Sequence, residues 1–447
     1  MTRSFLHSRA FRPGMAARLG PWVAISALIA APSLHAQTGA QAAPSTHATA
    51  MPEFDTAQLV SLVLQHNPGL QAATQTLQGA RAAVTTASAL PNPRLEWSRG
   101  PWQGQDPASS ASQRSQTWSL AQPIENPWLR GARIDAAQSG QRSSEQLLGM
   151  VRNDLIAQLR LRIHEAMLFQ AEAEAAAESL GLLEQVRQRV RVRVDSGEAA
   201  RYELIKADAE VINARERKQS AALKAEQSLL EINRLAAGQL PARWRLKPPL
   251  ASEGQEPLDL EQLQQRARET NPELQSLRHE LERARHRLQL ARASVLPAVD
   301  LRYTEMKDPQ VRQSQWGMSV QLPLLDQRRG PVAEATAELE RSRLLYEGRQ
   351  AELEQQVLLA WRALEMARLR VESLSQGVLR EAESALRVAE AAYRFGERGI
   401  LDVLDAQRVL RTVRADLLQA RFQQQAARIT LEQLSGRHAA ALPSTAR

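Results

Sequence analysis

The sequence predicts a mainly α chain with a small β part, built as two similar halves. The first observation is a repeat. Asn67-Pro68 opens a helical segment that runs to Leu90-Pro91, and Asn271-Pro272 opens one that runs to Leu296-Pro297. Further on, a constant offset of 199 residues pairs Gly131 with Gly330, Gly197 with Gly396, Glu198 with Glu397, Ala207 with Ala406 and Leu235 with Leu434. Solenoid periods run from about 20 to 50 residues, so one duplication of this length means two equivalent halves. The second observation is missing proline, which breaks helix interiors. None occurs over 128–240 or 332–442, together 224 residues, where average usage would place roughly eleven. The third is a pair of short alternating runs in each half, the two-residue period of strands.

In chain order, residues 1–36 carry a basic start (Arg3, Arg9, Arg12, Arg18), an apolar run from Trp22 to Ala31 and small residues up to Ala36. That is a cleaved secretory signal, too short to span a membrane. The segment has no acid, so its removal lowers the net charge from +8 to +4. No basic cluster with interleaved aromatics remains, which excludes a nucleic-acid partner. The absence of cysteine excludes disulfides, thiolate metal sites and a lipid anchored on Cys. Residues 37–52 read as a flexible N-terminal segment, 53–238 as the first repeat, 239–256 as a linker, 257–437 as the second repeat and 438–447 as a tail.

The strands are expected at about 93–102 and 115–124, then at 298–307 and 314–324. Leu95 and Trp97, Leu301 and Tyr303, and Trp316, Met318, Val320 and Leu322 alternate with more polar neighbours. Ten or so residues, one apolar face and aromatics near the ends match transmembrane β-strands. Four strands cannot close a barrel, and open sheet edges cannot face lipid. Copies of the chain must therefore share one barrel. After each strand pair a helix is expected over 132–196 and 331–395, each roughly 98 Å long at 1.5 Å per residue. Leu148, Val151, Leu155 and Leu159 set a stripe to be buried against other helices. Gly197 and Gly396 end these helices, since glycine takes the left-handed conformation past a helix end. A second helix follows each turn.

An exported, cysteine-free, duplicated chain of this pattern resembles the TolC family of outer-membrane efflux proteins over residues 53–437. The motifs are Asn67-Pro68, Asn271-Pro272, Leu90-Pro91-Asn92-Pro93, Gln122-Pro123-Ile124-Glu125 and Arg130-Gly131-Ala132-Arg133, with Leu322-Pro323-Leu324 and Arg329-Gly330 in the second half. The Pro-Asn-Pro and Gln-Pro-Ile-Glu forms are most similar to the CzcC-like branch, associated with heavy-metal export. The resemblance implies a TolC-like homotrimer in the outer membrane. Its twelve shared strands would form a barrel continuous with a periplasmic α-barrel of long helical hairpins. It further implies a passive exit duct, not an enzyme, without a cofactor, working with an inner-membrane pump and a periplasmic adaptor (membrane fusion) protein. The adaptor would contact the hairpin tips at Gly197, Glu198, Gly396 and Glu397. Tyr393, Arg398, Asp402 and Asp405 match the family's periplasmic gate, and Glu203 stands where other members carry an aspartate that accepts bonds from it.

Carboxylates at Asp402 and Asp405 from each copy would ring one axis with negative charge and attract cations. The alternative is that they sit in a helix's first turn, where negative charge is favourable. His279 and His286 lie seven apart on a helix beside Glu280 and Glu282, while His66, His164 and His438 are scattered. That spacing lacks the convergent ligands a metal needs, and solvated helix-surface residues explain it. A periplasmic coiled-coil adaptor or scaffold is the alternative function, sharing the signal and long helices but lacking membrane strands.

Overall fold

The computed structural model describes residues 51–102, 113–247 and 259–439. The expected signal peptide at 1–36 and nearly all of the 37–52 segment lie outside the described residues, as do 103–112, 248–258 and 440–447. The first half runs β1 (Glu53–Phe54), α1 (Thr56–His66), α2 (Pro68–Ser88), β2 (Arg94–Trp102), β3 (Gln113–Ile124), α3 (Pro127–Asp195) and α4 (Arg201–Leu235). The strand β4 (Arg245–Leu246) follows. The second half runs α5 (Leu260–Thr270), α6 (Pro272–Ala293), β5 (Ala298–Lys307), β6 (Arg312–Gln321), α7 (Arg329–Ser373), a π-turn (Leu374–Val378), α8 (Leu379–Arg394) and α9 (Ile400–Leu434).

Asn67 and Asn271 explain the paired Asn-Pro motifs. Each closes one short helix, caps the next with its side-chain oxygen and places proline in the first turn, where a missing N–H costs nothing. Each amide also donates to the last carbonyls of a distant helix, Asn67 to Leu235 at 3.1 Å and Asn271 to Leu434 at 3.0 Å. These joints set α2 against the end of α4 and α6 against the end of α9. The short helices α1 and α5 are additions to the expected pattern. The reciprocal Asp55–Gln58 capping box was the sequence signal for α1, and Asp259, accepting from Gln262 N–H, that for α5.

α3 is one helix of 69 residues and begins at Pro127, ahead of the expected 132, because Asn126 caps Trp128. Arg130 and Arg133 of the Arg-Gly-Ala-Arg motif donate to the carbonyls of Ser88 and Ala87, filling acceptors that the end of α2 leaves open. The second long rod is not uniform. α7 and α8 are separated by the five-residue π-turn, which contains Ser375 and Gly377, residues that weaken regular helix. β6 stops at Gln321, short of the expected 324, since Pro323 cannot donate to a ladder. The described part of the expected 239–256 linker, residues 239–247, packs onto the first half. Leu240, Trp244 and Leu246 are buried with Leu59, Val63, Leu159 and Ile232, and Trp244 meets Phe54 edge-on at 5.8 Å.

A matching core in the second half buries Leu263, Ala267, Leu353, Val357, Leu364 and Leu431. A third core binds the two halves together at the hairpin ends, with Leu183, Val186 and Val190 of α3 against Val211 of α4 and Ile400, Val403 and Leu404 of α9. Each Leu or Val removed from water there contributes about 1.5 to 3 kcal/mol.

The hairpins β2–β3 and β5–β6 join through antiparallel β3–β5 into one sheet, in the order β2-β3-β5-β6. Pairing places Leu95, Leu120, Tyr303 and Trp316 in one row on the same face, flanked by Trp97 with Trp118 and by Leu301 with Met318. Trp316 is 81% exposed, Met318 67% and Leu95 66%. The opposite face carries Ser, Thr, Gly and charged residues, and there Ser119 and Ala121 are buried. The sheet therefore curves around its small, polar side and turns its apolar side outward. No described helix is long and apolar enough to cross a membrane.

Candidate channel and gate

The helical hairpins turn at two glycines with the same geometry. Gly197 has φ +83° and Gly396 φ +76°. At the first turn, Glu198 N–H donates to Arg193 O at 2.8 Å and Gly197 N–H to Val194 O at 3.1 Å. At the second, Glu397 N–H donates to Ala392 O at 2.9 Å and Gly396 N–H to Tyr393 O at 3.1 Å. Both are Schellman turns, which fill the last helical carbonyls and need a left-handed residue. Both tips project exposed side chains, including Glu198, Glu397 and the largely solvated Phe395.

The shared tip core brings Tyr393 of the second half beside the first. Arg193 lies 4.8 Å from the Tyr393 ring centre, donates to the Tyr393 carbonyl at 3.4 Å and pairs with Glu198 at 3.7 Å. A guanidinium over an aromatic face is worth about 0.5 to 1 kcal/mol at an exposed site. Arg193 was not among the candidate residues, and no spacing rule links it to a tyrosine 200 positions away. The Tyr393 hydroxyl and one Glu203 carboxylate oxygen are each buried without a hydrogen-bond partner among the described residues. They do not bond each other within the protomer.

Asp402 and Asp405 lie in the first turns of α9, exposed, each with an arginine of the same helix region. Arg398 stands 3.7 Å from Asp402, and Arg408 stands 3.9 Å from Asp405 while also reaching Glu210 of α4 at 3.2 Å. Exposed pairs at such distances are worth about 0 to 1 kcal/mol. Behind them a cavity of about 310 Å³ opens between α3, α4, α8 and α9, walled by Leu182, Leu386, Leu410 and Leu418 and edged by Arg217 and Arg411. Burial, followed by repulsion from Arg217, lowers the Arg411 pKa.

His279 and His286 engage their own helix. His279 Nδ1 meets Glu282 at 3.0 Å, and His286 Nδ1 meets Gln289 at 3.2 Å. Among the described residues no three metal-binding side chains converge.

A lipid-facing sheet too narrow to close alone, set on helices roughly 100 Å long, defines an outer-membrane channel protein. The sequence profile described as outer membrane efflux protein matches residues 59–238 and 263–437, one match in each half. The chain belongs to the outer membrane efflux protein family. The cobalt-zinc-cadmium resistance protein CzcC of Cupriavidus metallidurans is 27% identical over 386 residues, 85% of this chain and 89% of that protein. The crystal structure of CusC shares the fold with a TM-score of 0.74 at 19% identity, covering 85% of this chain and 91% of CusC. The outer membrane protein VceC of Vibrio cholerae gives 0.71 at 17% identity, covering 85% and 96%. The chain is thus an efflux protein of the outer membrane with a large helical periplasmic part. That sets aside the scaffold alternative, which has no membrane strands.

Proposed function

We propose that three copies close one twelve-stranded barrel and act as the passive exit duct of a tripartite efflux system. The supporting observation is the pair of outer strands, β2 and β6, which have no partner on their free edges among the described residues and lie beside an apolar outer face. In lipid each unpaired backbone group costs several kcal/mol, so these edges require neighbouring copies. The chain carries no chemistry of its own in this reading. Energy comes from an inner-membrane pump, and the tips at Gly197, Glu198, Gly396 and Glu397 meet the periplasmic adaptor. Likeness to a cobalt-zinc-cadmium resistance protein favours metal cations as cargo. The detergent-corrected mass of the purified outer-membrane fraction tests the assembly. A trimer is expected; a monomer released without detergent overturns the proposal.

Within that duct, Tyr393, Arg398, Asp402 and Asp405 form the periplasmic gate, with Glu203 behind it. The buried, partnerless Tyr393 hydroxyl and Glu203 oxygen support this, because such atoms find partners when neighbouring copies close around them. Replacing Asp402 and Asp405 together by Ala is expected to lower cation-over-anion permeability at least about threefold in planar bilayers, since aligned charge concentrates counter-ions. Arg398→Ala, which frees Asp402 from its partner, should move selectivity the opposite way. Unchanged permeability ratios in both variants would remove the gate assignment.

A further inference from the structure

Strand pairing places a second set of charges in the duct, far from the gate. Arg94 of β2 sits opposite Ala121 of β3, Ala121 opposite Arg302 of β5, and Arg302 opposite Gly317 of β6. All four share one row on the small, polar side of the sheet, the side around which it curves. Ala121 is buried in that concavity, and Gly317 has open space where a side chain would stand. The two small residues therefore leave room beside the two arginines, both of which are exposed. Neither guanidinium has a salt bridge or a hydrogen-bonding side-chain partner among the described residues. The acids on the same face are one row away on either side, Glu96 above and Asp300 below. The row lies near the strand ends that lead to α2 and α3, at the periplasmic foot of the barrel.

We propose that Arg94 and Arg302 form a basic ring inside the barrel that binds small multivalent oxyanions. This rests on the trimeric duct. Three copies repeat the row around one axis, so every second strand contributes a guanidinium. A planar guanidinium fork donates to carboxylate or phosphate oxygens two at a time, and a ring of forks suits a multiply charged oxyanion. The periplasmic end is acidic through Asp402 and Asp405, so the duct carries charge rings of opposite sign in series. Their balance sets the ion preference of the whole pore.

The test uses the full-length protein in planar bilayers, with inorganic pyrophosphate added from the extracellular side, where it reaches the barrel before the helical tunnel. The unaltered channel is expected to be blocked by pyrophosphate. Arg94→Gln/Arg302→Gln should lose the block and raise potassium-over-chloride permeability at least about threefold. Arg94→Lys/Arg302→Lys keeps the charge but not the fork, so its ion preference should stay while the block weakens. Channels that conduct but show the same block and the same permeability in the glutamine variant overturn the basic ring and leave the duct intact. Protein that forms no channels, with its fold preserved by circular dichroism, overturns the duct itself.

Discussion

Glu432→Ala is expected to destabilise the protein by about 3 kcal/mol, since the half-buried Arg160 and Arg428 lose the buried carboxylate that pairs with them. Glu432 lies near the end of α9 with only 6% of its surface exposed. It pairs with Arg160 of α3, with Arg437 at 2.9 Å and with Arg428 at 3.4 Å, and His438 stands 3.8 Å away. Arg160 belongs to the first half and the rest to the second, so this carboxylate fastens the two repeats. Burial pushes its pKa up, but the neighbouring His438, Arg160 and Arg437 outweigh burial and hold it at about 2. Arg160 does so by direct contact. Because the folded pKa is below the unfolded value, the stabilisation is present above about pH 4.5 and is lost as pH falls toward 2. At 1.36 kcal/mol per unit the effect is about 3 kcal/mol. Chemical unfolding followed by helical circular dichroism, run from pH 7 to 3, checks both claims. The unaltered protein should weaken below about pH 4.5, and Glu432→Gln should be less stable at pH 7 with a flatter acid response. Equal midpoints for Glu432→Ala and the unaltered protein would rule out the fastening role.

Gly436→Ala should be nearly as damaging, for a steric reason. Gly436 has φ +65°, and a β-carbon there would lie 2.3 Å from the Thr270 carbonyl oxygen and 2.9 Å from its carbon. Both are backbone atoms and cannot swing aside. The contact is tight because the end of α9 is pinned on the α5–α6 joint, where Thr270 Oγ1 donates to Ser435 O at 2.6 Å and Asn271 to Leu434 O at 3.0 Å. Overpacking of this kind costs about 1 to 3 kcal/mol, and the left-handed backbone adds about 1 to 2. Gly197→Ala is the matched control, since its φ is +83° but nothing stands within 4 Å of the new carbon. It should show the backbone cost alone. If the two variants unfold at the same denaturant concentration, the joint is looser than described.

Long helices were legible because proline and glycine are punctuation: two proline-free stretches and two aligned glycines bound the rods without any tertiary information. The π-turn at Leu374–Val378 was not legible, because Ser and Gly also occur inside α3 at Gly140 and Gly149 without breaking it. Which weak point yields depends on packing. At the tip, the Arg398–Asp402 contact follows the four-residue helical spacing. Arg193 against Tyr393 joins two halves and needed the folded core. The barrel row follows the same rule. Strand parity shows that Arg94 and Arg302 each sit opposite the apolar face of their own strand, but only the β2–β3–β5 register shows that they share a level.

The free edges of β2 and β6 also bear on heredity. A protomer with a damaged edge strand still offers its other, intact edge to a normal neighbour and enters the ring beside it. In the proposed trimer, the ring it joins cannot seal. Edge-strand lesions in this protein should therefore behave as dominant when damaged and normal copies are made in one cell. Lesions such as Gly436→Ala, which remove the chain before it meets its neighbours, should be recessive.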